Sequence, residues 1–373
     1  MAMKLIRFVC LVISFILMSS GIVLANSVSY GYTHMAYKQY QDSLEGALKL
    51  QQAVNLFLEK PDKKHMDIVK IAWITARVPY LQTEAFRFYG GPIDAAKTDT
   101  QAEGPEERIN AWPLNEAYID YVKGNPKAGI VYQTTIPVTP ALLKSKNQQK
   151  DAKDVTTGWH AIEFLLWGQN LAATGPGVRP VSDYAKGDVI KERRREYLKQ
   201  VTDLLVQDLR SLVNAWAPKK NNYAAQFKAM DEKELLGKIL TGIASLSGAE
   251  MALERMNNAL ISGERLDSQS CFSDTTHQDF VYNAKGIRNV YLLVSPLVAK
   301  KNPALDKQIH AQLNETDRLI TAIPNPYGPV LGTSKGSIEK QTVSAAVKSL
   351  QEQAVLLKQA GAVLGAHVDI VLK

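Results

Sequence analysis

Apolar residues recur every three or four positions along most of the chain, and no run of singly alternating residues supports a sheet of any size. Spacing of that kind gathers apolar side chains on one face of a helix and leaves a strand with no consistent buried side. In the stretch 28–59, Tyr37, Tyr40, Leu44, Ala47, Leu48, Val54 and Leu58 fall largely at helical spacing, and Pro61 stops the run. Asp62 is placed to cap a second helix reaching about residue 89, with Pro79 inside it as an expected kink. Further helices are expected from Thr156 or Thr157 through Trp167, and over about 187–216, 231–262, 278–294, 303–322 and 337–367. Residues 114–122 read as a short helix, and 131–138 as either a β-like segment or an extended loop. The stretches 90–113, 172–182 and 263–276 are irregular and rich in polar, Gly or Pro residues. A chain of 373 residues exceeds one simple core. The expected fold class is therefore all-α, with two helical bundles packed side by side, 26–182 and 183–373.

Residues 1–25 read as a cleavable signal peptide. Lys4 and Arg7 precede the apolar stretch Phe8–Met18, which is too short to span a bilayer, and Val23-Leu24-Ala25 suits signal peptidase. Cleavage after Ala25 leaves Asn26 as the first mature residue, and no second apolar run is long enough for a transmembrane helix. An uncleaved anchor is the alternative. With Cys10 removed, Cys271 is alone, so no internal disulfide is expected in the oxidising compartment. The net charge of +7 comes without a long basic block. Arg193-Arg194-Arg195 lies between Glu192 and Glu196, as on a solvated helix face, and a nucleic-acid partner is not expected.

Among the 6 histidines, His160 has company that suggests chemistry. In Gly158-Trp159-His160-Ala161-Ile162-Glu163, positions i and i+3 share a helix face, so an imidazole and a carboxylate can meet one ion. A Glu in so apolar a helix needs a partner, a metal or a proton. The bland alternative is a His–Glu pair with no ligand. The pattern is not H-E-x-x-H, because Ala161 and Phe164 stand where that motif needs its general base and second His. Other polar groups in apolar surroundings are Arg77, Tyr80 and Glu84 on one side of the second helix, Glu250 and Glu254 one turn apart, and the loop Ser270–Asp279 with Cys271, Asp274 and His277. Pairing with Arg255 and helix capping are the simpler roles for the last two groups.

These segments together resemble the imelysin-like family (peptidase M75-like). The resemblance rests on Gly158–Glu163 as a G-x-H-x-x-E signature, on Glu84–Asp94, Gly104–Leu114, Gly248–Met256 and Ser270–His277, in order over nearly the whole mature chain. It implies two helical bundles with a site between them, in a bacterial cell envelope. Carried over by position, His160 and Glu163 are metal ligands and Glu84 the third, while Arg108, Glu250, Glu254, Asp274 and His277 are residues of the interface. Ser268-Gln269 replaces the acidic residue and His that many members place before the Ser-Cys-Phe-Ser segment.

A His with carboxylates suits iron, zinc or manganese better than Cu(I) and offers no thiolate cage for a structural zinc. The leading expectation is a periplasmic or cell-envelope protein, with outer-membrane association as an option. It would bind a metal, iron before zinc, as an ion or an iron chelate, and take part in uptake beside envelope transport proteins. The alternatives are a zinc-dependent endopeptidase with Glu163 or Glu84 as general base on a metal-bound water, and a structural envelope module without ligand.

Overall fold

The protein is described by a computed structural model covering residues 2–98 and 103–371, with side chains from residue 27 onward. The expected signal segment therefore lies outside the residues whose side chains are described. Among the described residues there is no strand, only an isolated bridge between Val122 and Asn125. Nor is any helix among them long and apolar enough to cross a membrane.

Helix α1 spans Ala2–Glu59 and α2 spans Lys63–Thr83. Asp62 caps α2 as expected, accepting from the His65 N–H, and Pro79 lies inside the helix. This helix ends earlier than its periodicity suggests and passes into the 3₁₀ turn Glu84–Phe86. Helix α3, Gly158–Trp167, follows a string of short helical turns, among them Glu106–Ile109, Glu116–Ile119 and Gly129–Tyr132. The β-like reading of 131–138 fails because a strand needs a neighbour to pair with, and none is present among the described residues. Thr157 occupies the cap position of α3 without capping it; its hydroxyl meets Asn147 Oδ1 at 3.2 Å instead.

Helix α4, Val189–Trp216, is capped by Asp188 and buries Tyr197, Leu198, Val201, Leu205, Leu209 and Leu212 along one face. That face packs along α1 and α3, although α4 lies beyond the boundary expected at 182. The first bundle thus comprises α1, α2, α3 and α4. The second is built from α5, Glu232–Ser245, with its continuation to Ser262, and from α6, Thr276–Lys301, α7, Pro303–Ala322, and α8, Ile338–Leu364. Pro296 lies within α6, which runs past the expected end. Between Leu246 and Asn257 the continuation of α5 is a π-helix, whose wider turn brings residues five apart onto one line. Contacts of α6 with α2 join the two bundles, and the polar residues described next lie along that seam.

Candidate metal centre between the bundles

The apolar residues of α3 hold it so deeply that its two polar side chains are buried with it: His160 is 1 % exposed and Glu163 is fully covered. Trp73 on α2 donates its indole N–H to the Trp159 carbonyl at 3.0 Å, which fixes the start of α3. One helical turn apart, His160 Nδ1 and Glu163 Oε2 are 2.8 Å from each other. The other oxygen of Glu163, Oε1, accepts from both the backbone N–H and the hydroxyl of Ser273, each at 2.7 Å. Burial pushes the Glu163 carboxyl up to about 7, against the Ser273 bonds that favour its charge. Burial and the nearby Arg77 guanidinium move His160 well below the usual imidazole range, so the ring is neutral. When Glu163 is ionised, Nδ1 carries the proton and Nε2 the lone pair; when Glu163 is protonated it donates to Nδ1 and Nε2 carries the proton. Nε2 is buried and has no hydrogen-bond partner among the described residues.

Arg77 of α2 lies over the Trp73 and Trp159 rings, 5.2 and 5.8 Å from their centroids. Its two Nη groups donate to Asn110 Oδ1 at 3.1 Å and to Asp279 Oδ1 at 3.2 Å. Asp279 Oδ2 accepts from the Ser270 hydroxyl at 2.5 Å. Glu84, expected as the third ligand, is held by cations instead. Its Oε2 accepts from Arg87 Nη1 at 2.6 Å and from Arg255 Nη2 at 2.5 Å, and its Oε1 from Asn110 Nδ2 at 3.3 Å. Burial opposes its charge, yet Arg87 and Arg255 bring its carboxyl down to about 2. Among the described residues no three His, Cys, Asp or Glu side chains are grouped to hold a metal ion. The protein supplies one free imidazole nitrogen, a carboxylate clamped behind it, and a buried charged network.

A family model described as Imelysin, Peptidase_M75, matches residues 36–357. The chain belongs to the imelysin family. It is 24% identical over 358 residues to iron-regulated protein A of Synechococcus elongatus, an alignment covering 90% of this chain and 86% of that one. In fold, this imelysin resembles the crystal structure of an iron-regulated protein A precursor from Parabacteroides distasonis. The TM-score is 0.71 at 20% identity, over 90% of this chain and 95% of the other. An imelysin-like protein from Psychrobacter arcticum gives a TM-score of 0.66 at 14% identity, over 92% and 98% of the two chains.

The remaining expected site residues of this imelysin separate. Glu250 and Glu254 line a cleft of about 380 Å³ together with Arg87, Glu106, Asn110 and Trp112. Arg108 turns away to α4, where its Nη2 lies 3.0 Å from Asp208 Oδ1. Asp274, at φ 59°, serves a turn and pairs with Arg265 at 3.0 Å. His277 Nε2 lies 3.2 Å from the Ile320 carbonyl, inside the second bundle. Cys271 is a buried free thiol, and burial raises its pKa further. Ser273 and Ser270 are the site residues that residue patterns alone do not reveal. Ser273 meets Glu163 across 110 positions of sequence, which no local spacing encodes.

Proposed function

We propose that this imelysin is a cell-envelope protein that binds iron, as an ion or a chelate, through His160 Nε2 and takes part in iron uptake. The observation that carries this reading is the state of His160. Its Nδ1 side is fixed by Glu163 Oε2 at 2.8 Å, and its other nitrogen is buried without a hydrogen-bond partner among the described residues. A carboxylate behind the far nitrogen of a ligating His is the usual way proteins orient that ring and raise its basicity. Glu163 therefore acts here as the support of the ligand, with both oxygens occupied, and not as a ligand itself. The one free imidazole leaves the other positions of the cargo to water or to a chelator's own donors. The name of the cyanobacterial relative also supports an iron association.

Protein purified from its native envelope is expected to carry iron in excess of zinc by elemental analysis; zinc in excess, or no metal, speaks against this reading. Export is tested separately by N-terminal sequencing, which should find Asn26 in the periplasmic fraction; Met1 retained on a membrane-bound chain would overturn it. The peptidase reading ranks second: Glu163 has no free oxygen for the reacting water, and Glu84, brought down to about 2 by Arg87 and Arg255, is a weak base. Cleavage of unfolded protein substrates that disappears on Glu163→Gln would reverse that order.

A further inference from the structure

Beyond α3 the chain runs through a loop whose backbone is braced at several points. Asn170 Nδ2 donates to the Gly175 and Cys271 carbonyls at 3.0 and 2.7 Å, and the Gly177 N–H to the Phe272 carbonyl at 2.8 Å. Arg265 donates to the carbonyls of Ala172 and Gly175. A loop held in this way has an ordered path, yet it turns two aliphatic side chains outward. Leu171 is 65 % exposed and Val178 is 85 % exposed, the highest value of any large apolar side chain among the described residues. A single exposed aliphatic residue is ordinary, but these two line the same cleft, of about 260 Å³, and so form a shared apolar edge.

The charges at this cleft have one sign. Lys123 and Arg179 line it together with Tyr121 and Trp167, and no carboxylate does. Arg179 is committed to Asp120 and Asp183. Lys123 is exposed on the tight turn closed by Val122 and Asn125, and Lys127 is exposed just beyond it. Neither lysine has an ion-pair partner among the described residues. Lys70 of α2 reaches the same corner, its Nζ 5.3 Å from the centroid of the Trp167 ring. The surrounding chain adds to this field: residues 123–153 hold six lysines against one acidic residue, Asp151, and so supply 5 of the net charge of +7. On the other side of Leu171 a second cleft is lined by Glu116 and Glu264, which marks the edge of the basic face. We propose that this face docks on a membrane surface bearing anionic phosphate headgroups, with Leu171 and Val178 entering the interfacial layer and Lys123, Lys127 and Lys70 lying among the headgroups. The free cations are lysines, which act as point charges, while the guanidinium that could grip one phosphate in a fixed geometry is already paired. Recognition is thus of a charged layer rather than of one shaped partner. Apolar insertion and basic residues are the two signals whose combination holds a protein on a bilayer where either alone is weak. His160 takes no part, so this docking and the iron-binding reading stand or fall separately.

The test is flotation of the protein, as isolated from its envelope, with vesicles of phosphatidylcholine made with and without phosphatidylglycerol. Binding is expected to the vesicles that contain phosphatidylglycerol, and it should weaken as salt is raised. Replacing both Lys123→Gln and Lys127→Gln is expected to weaken it by about 10–50-fold. Replacing both Leu171→Ser and Val178→Ser is expected to weaken it by about tenfold or more. All four side chains are exposed, so the variants should keep the circular dichroism spectrum of the parent. Ile338→Ser, at a residue 80 % exposed at the start of α8, is the control and should bind like the parent. Inorganic phosphate added to the bound protein should not release it. Release by phosphate would make the cleft a site for the free anion and overturn the proposal. Equal binding to both kinds of vesicle, binding to neither, or binding that the Leu171 and Val178 substitutions leave unchanged would overturn it as well.

Discussion

Replacing Asp120 by Ala is expected to lower the unfolding free energy by about 3–5 kcal/mol, the cost typical of leaving buried charges without their partner. Asp120 is fully covered. It accepts from Arg179 Nη1 at 2.8 Å, and from Arg194 Nε and Nη2 at 2.6 and 2.9 Å. Both guanidiniums also lie against the Tyr121 ring, 5.0 and 5.4 Å from its centroid. Without the carboxylate, two cations stay in the interior, and among the described residues Asp183 Oδ2, 3.2 Å from Arg179 Nη1, is the ion-pair partner that remains. This group ties the stretch 172–182 to the first bundle. Urea unfolding followed by circular dichroism measures the loss. A change below about 1 kcal/mol, the value of an exposed pair, would show that the network is hydrated and not buried.

Gly158→Ala is expected to cost about 2–5 kcal/mol and to disturb the proposed metal site together with the fold. Gly158 begins α3 at φ 81°, a conformation that L side chains rarely adopt. A Cβ there would sit 2.3 Å from the Ile109 carbonyl oxygen and 2.6 Å from that of Arg108. Both are backbone atoms of the turn that presents Asn110, so relief requires moving the turn or α3. The glycine of the G-x-H-x-x-E segment is thus explained by contact, two residues before the His it positions. Urea unfolding and metal titration of this variant should both show losses. A variant as stable as the parent would mean that α3 can shift freely, and the proposed site could not then be rigid.

The helices were legible because each buries one face, and periodicity records that face directly. The His160–Glu163 pair was legible for the same reason, since i and i+3 side chains meet on any helix. What spacing left out is what connects distant segments. Ser273 clamps Glu163 from the far bundle, and Asp120 meets Arg194 across 74 positions. The basic run at 193–195, expected to be solvated, instead sends Arg194 into the interior and Arg193 onto the Ile130 and Val131 carbonyls at 2.8 Å each. Glu84 illustrates the same limit. Its helix position was visible, but whether it meets a metal or a guanidinium depends on Arg255, which reaches it across the seam. Of the two readings of 131–138, the loop holds from residue 133 on, because β-branched side chains favour strands only where a partner strand exists.

The most direct measurement is calorimetric titration of the full chain with Fe(II) under anaerobic conditions, comparing the parent with His160→Ala and Glu163→Gln, and with His310→Ala as control. His310 sits on α7, where its Nε2 lies 3.1 Å from the Ser295 hydroxyl. Glu163→Gln should weaken binding by about 10–100-fold through loss of the support behind the imidazole. His160→Ala should weaken it further, through loss of the ligand, and His310→Ala should bind like the parent. If His160→Ala and Glu163→Gln both bind Fe(II) as tightly as the parent, His160 is not the metal ligand of this imelysin.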